Sequence, residues 1–217
     1  MNYLANLLKE TYRGKTIART LFNWRISKHV KNIGGVVIDL GGGKNPSYER
    51  FWQIKPDKFI RVDIDEKAEP DVVADLNKLL PFSDNFADVV FLFNVIYILE
   101  KPDQVLEEIH RILKPGGRLF LTSPFIFNEA KEPNDYWRFT SEALEKLLKE
   151  SGFDNFFIEP VGERFSAAVY LISPFLFFWP IKFVFYCFAL IFNKLIPKKL
   201  KLKQPCPIGY FIEATKS

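Results

Sequence analysis

The stretch that decides the fold is VVIDLGGGKNP, residues 36–46. Its first residues are apolar and predict a buried strand over Val36–Leu40, which runs directly into Gly41, Gly42 and Gly43. Glycine has no Cβ, so it lets the backbone turn sharply and lets another molecule approach the main chain closely. The stretch therefore predicts a strand followed by a tight turn with an accessible backbone.

Short apolar runs alternate with helical patterns on both sides of this stretch. The helical patterns end at glycine or at Pro-Gly-Gly, and a threonine precedes the second of them as an N-cap. Further strands are predicted in residues 58–65, 70–76, 86–94, 118–124, 155–159 and 209–215. Near-continuous apolar strands separated by helices are typical of a parallel sheet that is covered on both faces.

Acidic residues lie at or just beyond the carboxyl ends of the first three strands. Asp39 precedes the glycines, and Asp63 lies 24 residues further on, where a carboxylate can accept hydrogen bonds from both ribose hydroxyls. Asp75 and Leu76 form a polar–apolar pair that can flank an adenine. The third glycine of a dinucleotide-binding loop would fall at Pro46. These features predict a nucleoside ligand other than a dinucleotide, because two acids near the loop suit a cationic ligand with an amino acid tail better than a pyrophosphate.

The chain resembles class I S-adenosylmethionine-dependent methyltransferases of the small type related to quinone-biosynthesis methyltransferases. The resemblance covers about residues 34–160 and the last strand, and residues 39–45 match the D-x-G-x-G-x-G loop of that family. It implies a Rossmann-like, doubly wound, mostly parallel sheet of seven strands whose last strand is antiparallel. It also implies S-adenosylmethionine as the cofactor. The cofactor-binding residues that it implies are Asp39, Gly41, Gly43, Asn45, Asp63, Ile64, Asp75, Leu76 and Asn94.

A narrower resemblance lies in NDYWRFT, residues 134–140. Similar segments occur in methyltransferases associated with cell-surface polysaccharide or glycolipid synthesis. The segment follows the fifth strand, where loops carry sites in this architecture, so Asp135 and Tyr136 are predicted to be catalytic and Trp137 and Arg138 to bind substrate. The structural alternative is that Trp137 and Phe139 pack while Arg138 pairs with Asp135.

A histidine base, common in the related enzymes, has no clear candidate in this chain. Relatives often have histidine where this chain has Lys101, and some have it where this chain has Asn134. His29 and His110 fit structural roles better, because one precedes the first strand and the other lies in a helix that covers the sheet. Asp135 is therefore the leading candidate for a base, and Tyr136 is the second. Catalysis by positioning of the reactants alone, without a base, remains an alternative.

Charge is unevenly distributed along the chain. Residues 1–31 carry seven Lys/Arg and one Glu, residues 161–217 carry eight Lys/Arg and two Glu, and the segment between them has a net charge of −8. An acidic middle argues against a nucleic-acid groove, whereas basic ends favour an anionic surface or serve only as solubilising charge. Two cysteines and a polar, basic start predict a reducing, cytoplasmic setting without a signal peptide or metal site.

Residues 167–192 form an apolar run of 26 residues with one charge, followed by five lysines before residue 204. About 20 apolar residues can span a bilayer, but one crossing would separate the last strand from its sheet. Pro174 and Pro180 also break the run. We therefore expect an in-plane helix or shallow hairpin on an anionic membrane surface, with Trp179 and Tyr186 at the interface. A buried helix pair or a dimer interface is the alternative.

These patterns predict a helical lid over residues 1–31 and a methyltransferase domain over residues 32–217, with an apolar and basic helical insertion at residues 161–205 between the last two strands. The predicted enzyme lies on the cytoplasmic face of a membrane. It transfers a methyl group to a lipid-linked or amphipathic acceptor, at a sugar or hydroxyl oxygen. The alternatives are a quinone-ring methyltransferase and an inactive S-adenosylmethionine-binding interaction protein. The sequence leaves the oligomeric state open.

Overall fold

A mixed sheet forms the centre of the protein in the computed structural model, which describes residues 2–31, 33–44, 46–51, 56–130 and 134–217. Within these residues the strands are β1 (Val36–Leu40), β2 (Lys58–Asp63), β3 (Val72–Val73), β4 (Ala87–Phe93), β5 (Leu113–Pro124), β6 (Asn155–Val161) and β7 (Gly209–Thr215). They lie in the order β3-β2-β1-β4-β5-β7-β6, and β7 runs antiparallel to both of its neighbours. The predicted Rossmann-like sheet, mostly parallel with an antiparallel last strand, is confirmed.

Helices cover both faces of this sheet. In the described ranges they are α1 (Tyr3–Tyr12), α2 (Ile17–His29), α3 (Pro102–Ile112), α4 (Ser141–Glu150), α5 (Arg164–Ile172), α6 (Trp179–Leu195) and α7 (Lys198–Lys203). Successive side chains of a strand point to opposite faces, so Ile38 belongs to a core with α3 and α4, while Val37 belongs to a core with α1, α2, α5 and α6. The sheet is therefore buried between two helical layers.

The helices of the first layer form where the sequence pattern predicts them. In α3, Val105, Leu106, Ile109 and Ile112 are buried on the face that meets the sheet. The predicted N-cap of α4 is confirmed, because the Thr140 hydroxyl accepts a hydrogen bond from the Ala143 amide at 3.2 Å. Such a cap satisfies an amide that would otherwise lack a partner at the start of the helix.

The N-terminal helices belong to the second core. Leu7, Ile17 and Phe22 are buried against the sheet, whereas Leu4 and Leu8 are exposed. α1 and α2 are thus built into the fold, and the edge of α2 faces the carboxyl ends of the strands. A movable lid over residues 1–31 stays a prediction.

The chain leaves the sheet after β6 and returns at β7 through α5, α6 and α7. Large apolar side chains of this segment remain exposed, and we call them the apolar face: Phe175, Phe177, Phe178, Ile181, Phe188 and Leu195. None of the helices in the described residues is both long enough and apolar enough to cross a bilayer. The prediction that Tyr186 lies at a lipid interface is wrong, because its ring packs into the second core and is 0% exposed.

Candidate functional site

The glycine loop after β1 is packed too closely for side chains. Gly41 has a φ of +74°, and a Cβ there would lie 2.7 Å from the side chain of Val95. A Cβ on Gly42 would overlap the carboxylate of Asp39. Glycine is required at both positions, and the loop backbone lies at the wall of a cavity as a result.

Asp39 lies beneath this loop and is fully buried. Burial raises its pKa to about 7, although a hydrogen bond donated by the Tyr48 hydroxyl partly offsets that rise. Tyr48 is buried as well, and its burial, together with the nearby carboxylate of Asp39, raises the pKa of Tyr48 well above its ordinary value. Within the described part of the chain, Asp39 Oδ1 has no hydrogen-bond partner. This acid can therefore still accept a hydrogen bond from a ligand or a water molecule.

A cavity of about 760 Å³ opens where β1, β2, β3 and β4 end, and we call it the acidic cavity. Its charged lining residues are Asp63, Asp65 and Asp75, and no lysine or arginine lines it among the residues that the structure describes. The backbone amide of Asn77 donates to Asp75 at 3.0 Å and is the main reason that the pKa of this carboxyl is lowered. The acidic cavity suits a ligand with positive charge and hydroxyl groups.

A second cavity of about 480 Å³ shares Gly41 and Asn94 with the acidic cavity, and we call it the basic cavity. Its charged lining residues are Lys15 and Arg19, at the start of α2. Its other polar and aromatic lining residues include Asn23, Tyr48, Phe93, Tyr97 and Phe127. Two adjacent cavities of opposite charge therefore meet at the glycine loop.

Asn94 holds its place between the two cavities through the backbone. Its amide donates to the carbonyl oxygen of Thr122 at 3.0 Å and to the hydroxyl of the same residue at 2.9 Å. Its φ is +56°, a left-handed conformation that asparagine tolerates better than most residues. The backbone of Asn94 is thus fixed where the two cavities meet.

Most of the predicted cofactor-binding residues lie together. Those that line the acidic cavity are Gly41, Asp63, Ile64, Asp75, Leu76 and Asn94. Asp39 lies beneath it, Gly43 lies in the loop with a φ of +67° without lining it, and Asn45 lies outside the described residues. Their roles stay predictions. The sequence reasoning missed Asn77 and Val95, although Asn77 follows Asp75 by two residues at the same strand end.

Residues 38–121 match the family model of a methyltransferase domain. This match, together with the related methyltransferases below, supports a class I S-adenosylmethionine-dependent methyltransferase domain in this part of the chain. The matched residues include the strand and glycine loop, Asp63, Asp75 and Asn94, which together form most of the acidic cavity. S-adenosylmethionine is accordingly the cofactor of this domain.

Individual relatives are more distant. The chain is 31% identical over 120 residues to the sterol 4-C-methyltransferase strm-1 of Caenorhabditis elegans, covering 53% of this chain and 34% of that relative. It is 24% identical over 169 residues to the ubiquinone/menaquinone biosynthesis C-methyltransferase UbiE of Vibrio campbellii, covering 56% of this chain and 65% of that one. The chain thus spans about a third of the length of the sterol methyltransferase and about two thirds of the length of UbiE.

The same fold occurs in a solved SAM-dependent methyltransferase from Archaeoglobus fulgidus. That structure covers 97% of this chain and 98% of its own, with a TM-score of 0.63 and 21% identity. Since identity is low, this likeness concerns the fold.

The residues of the acidic cavity fit S-adenosylmethionine. Asp63 could hold the ribose hydroxyls, Asp75 and Leu76 could flank the adenine, and Asp39 offers an unpartnered buried oxygen toward a cationic group. The absence of Cβ atoms at Gly41 and Gly42 lets the loop backbone approach the cofactor. A cation beside Asp39 would also favour its ionised form.

The segment of residues 134–140 is held against a short turn after β4. The amides of Tyr136 and Trp137 both donate to the carbonyl oxygen of Tyr97, at 3.0 and 3.1 Å, and the Trp137 indole donates to Leu99 at 2.9 Å. Asn134 lines the acidic cavity, whereas none of the next four residues lines either cavity. The segment therefore supports Tyr97, which lines the basic cavity.

Asp135 is occupied by an ion pair with Arg138. Its Oδ2 accepts from Arg138 Nη2 at 2.7 Å and from the Ala130 amide at 2.8 Å, and its Oδ1 accepts from Arg138 Nη1. The hydrogen bond from Arg138 is the main cause of the lowered pKa of this carboxyl. A paired, weakly basic carboxylate is poorly suited to accept a proton, so the contacts favour the structural alternative. The catalytic roles of Asp135 and of Tyr136, whose ring is exposed, stay predictions.

Both histidines have structural surroundings. His29 lies 3.1 Å from Glu159 and stacks on Phe211, and His110 packs edge-on against Phe153. Burial lowers the pKa of His110. Neither side chain lines the acidic or the basic cavity, in agreement with the structural roles expected from the sequence.

Proposed function

We propose that the protein transfers a methyl group from S-adenosylmethionine to a lipid-linked or amphipathic acceptor at an anionic membrane surface. The observation that carries this proposal is the pair of adjoining cavities at the glycine loop, one acidic and one basic, which share Gly41 and Asn94. A cofactor in the acidic cavity and an acceptor in the basic cavity would approach each other at these two residues.

Methyl transfer from a positively charged sulfur mainly requires that the protein align the acceptor atom, the methyl group and the sulfur. When bound, S-adenosylmethionine supplies a methyl group on a positively charged sulfur: the carbon–sulfur bond breaks, a bond to the acceptor oxygen forms, the sulfur leaves as a neutral thioether, and the hydroxyl proton passes to water or a base. Asp63, Asp75 and the glycine loop would fix the cofactor, while Asn94 and Tyr97 would fix the acceptor. Alignment of this kind can contribute up to roughly 7–11 kcal/mol in ideal cases.

The membrane part of the proposal rests on the apolar face and the lysines that follow it. Phe177 is 88% exposed and Phe188 is 55% exposed, and both belong to a group of exposed apolar side chains. A single exposed apolar residue needs no explanation, whereas a group of them marks an interaction surface. α7 directly follows α6 with the sequence KKLKLK. Each lysine near an anionic leaflet is worth about 1 kcal/mol, so apolar insertion and charge would act together at the cytoplasmic face of a membrane.

We propose a sugar or hydroxyl oxygen as the acceptor atom. A quinone ring is the second candidate, because one relative is named for ubiquinone and menaquinone biosynthesis. Another relative is named for a sterol. Quinones and sterols are apolar compounds, and such an acceptor would also be reached from a membrane.

The test is a transfer assay with radiolabelled methyl groups on three fractions: a polar glycolipid extract, a quinone-containing neutral lipid extract and a water-soluble sugar extract. The Asp63→Asn variant serves as the control for label that does not depend on the cofactor site. We expect label in the glycolipid fraction. Label only in soluble sugars would overturn the lipid acceptor, and label in the neutral fraction would favour the quinone. Cofactor binding without transfer to any fraction would favour an inactive binding protein.

A further inference from the structure

The charge of the basic cavity contrasts with that of its neighbour. Lys15 and Arg19 line it, and no aspartate or glutamate does so among the described residues. The acidic cavity has the opposite pattern, with acids and no cations in the same part of the chain. The lining of the basic cavity therefore suits a negatively charged group.

The two cations of the basic cavity are available to a ligand. In the ranges that the structure describes, neither Lys15 nor Arg19 has a carboxylate oxygen within ion-pair distance, whereas Glu10 of the preceding helix already pairs with Arg13 at 3.9 Å and with Arg50 at 3.1 Å. Lys15 is half-buried and Arg19 is exposed. A partly buried cation without a counter-ion gains more from binding an anion than a fully solvated one does.

Neutral donors surround these cations. α2 begins beside Lys15 with Thr16 as its N-cap, so the positive end of a 13-residue helix lies at the cavity wall. Asn23 also lines the cavity and is 5% exposed, and its Nδ2 has no hydrogen-bond partner within the described residues. Its Oδ1 is already engaged, since it accepts from the Ser47 hydroxyl at 3.2 Å. The Nδ2 group of Asn23 can therefore donate to a ligand in the cavity.

We infer that the basic cavity binds an acceptor that carries a phosphate or carboxylate group, with Lys15 and Arg19 as the anion-binding residues. This inference rests on the proposed methyl transfer and specifies its substrate class. The aromatic rings of Phe93, Tyr97 and Phe127 line the same cavity and suit the less polar part of such an acceptor.

The position of the basic cavity relative to the apolar face favours an amphipathic anion. Tyr12, at the end of α1, packs edge-on against Trp179, at the start of α6, with ring centroids 5.4 Å apart. Lys15 follows Tyr12 by three residues, and Phe177 and Phe178 directly precede Trp179. An anion held by Lys15 and Arg19 would lie close to the edge of the apolar face, where an attached chain could enter a membrane.

The test is calorimetric titration of the full chain, saturated with S-adenosylhomocysteine, with octyl phosphate, octyl glucoside and inorganic phosphate. The variants are Lys15→Gln/Arg19→Gln and, as a control with the same loss of charge on exposed sites, Lys9→Gln/Lys31→Gln. We expect octyl phosphate to bind wild type and control equally and the first variant about tenfold more weakly, as for the loss of one charge-assisted hydrogen bond. Thermal melts establish that both variants are folded.

Each outcome decides the inference. Three results would overturn the anion site. They are octyl glucoside binding as tightly as octyl phosphate, equal binding of octyl phosphate to the two variants, and no binding of either phosphate. Inorganic phosphate that binds as tightly as octyl phosphate would support the anion site and point to a free anion, whereas weaker binding would support a lipid headgroup. A chain that fails to bind S-adenosylhomocysteine would refute the proposed function separately, and titration without it still measures the anion site.

Discussion

At the residue scale, Asp39 combines full burial with a carboxylate oxygen that lacks a hydrogen-bond partner among the described residues. A neutral carboxyl stabilises the free protein, because an ionised group there would be desolvated. A cationic ligand would reverse that balance. Through Asp39, binding of such a ligand would be coupled to the stability of the protein.

The first prediction concerns pH and Asp39→Asn. The raised pKa means that the folded protein holds this proton more tightly than the unfolded chain, whose aspartate has a pKa of 3.8. The stabilisation is fully present below that value and is lost as pH rises to about 7. Asparagine can still accept from Tyr48 and does not ionise. We expect the free energy of unfolding of wild type relative to the variant to fall by a few kcal/mol over this window, at about 1.4 kcal/mol per pKa unit.

Urea unfolding of both proteins at several pH values from 4.5 to 7.5 measures this difference. Other acids titrate alike in the two proteins, so they cancel in the comparison. A difference that stays constant with pH would show that Asp39 keeps an ordinary pKa.

The second prediction concerns the pair of Asp135 and Arg138. If Asp135 acts by holding residues 134–140 on Tyr97, then Asp135→Asn and Arg138→Gln should each reduce methyl transfer to a similar extent, and the double variant should be little worse. Each should also lower the free energy of unfolding by about 1–3 kcal/mol, because a buried polar group loses its partner. Affinity for S-adenosylhomocysteine should change little.

A label-transfer assay and chemical unfolding on the three variants supply the readouts. Loss of transfer in Asp135→Asn with full transfer in Arg138→Gln would instead identify the aspartate as a base, as the sequence alone suggested.

At the scale of elements, α6 has two different sides. Tyr186 and Ala189 face the second core, whereas Phe188 and Leu195 belong to the apolar face. A helix that is apolar all round is typical of burial on every side, but here only one side is covered by the described residues. α7 adds lysines directly after it. The pair resembles an interfacial helix with a basic end.

The third prediction tests this interpretation with Phe177→Ser/Phe188→Ser. Both rings are exposed, so their loss should leave the core intact while removing two side chains that could insert into lipid. Since burial of one such side chain is worth about 1.5–3 kcal/mol, we expect the affinity for anionic vesicles to fall by at least about tenfold. Vesicle flotation measures the bound fraction, and added salt should weaken it further.

Leu79→Ser is the matched control, because Leu79 is an exposed apolar residue far along the chain from the apolar face. Equal flotation of all three proteins would contradict membrane docking through this face. A wild-type chain that does not float and sediments as a dimer would favour a second copy of the chain there.

At the scale of the whole molecule, features with a local pattern were predictable from the sequence. β1, the glycine loop and the acids after β2 and β3 each lie in one short segment, and parallel strands bring their carboxyl ends to one edge. The acidic cavity follows directly from that rule. Its side formed by Val95, Ile98 and Leu99 depends on how the loop after β4 folds back, and the sequence contains no comparable signal for these residues.

The basic cavity was not predictable in this way. Lys15 and Arg19 come from the N-terminal helices, Tyr48 follows the glycine loop, and Phe127 follows β5. These residues meet only through tertiary packing, since no periodic pattern links them. The error at Tyr186 has a similar cause: in an apolar run, neighbouring packing decides which side of a helix is covered, and composition alone does not reveal it.

The central claim, that the acidic cavity binds the cofactor, is tested most directly by calorimetry with S-adenosylhomocysteine on wild type, Asp63→Asn and the exposed control Glu107→Gln. Loss of a charge-assisted hydrogen bond to a ribose hydroxyl should weaken binding about tenfold or more. We predict tight binding by wild type and control and clearly weaker binding by Asp63→Asn, with all three equally folded. Equal affinity in all three proteins, or no binding by wild type, would contradict the account.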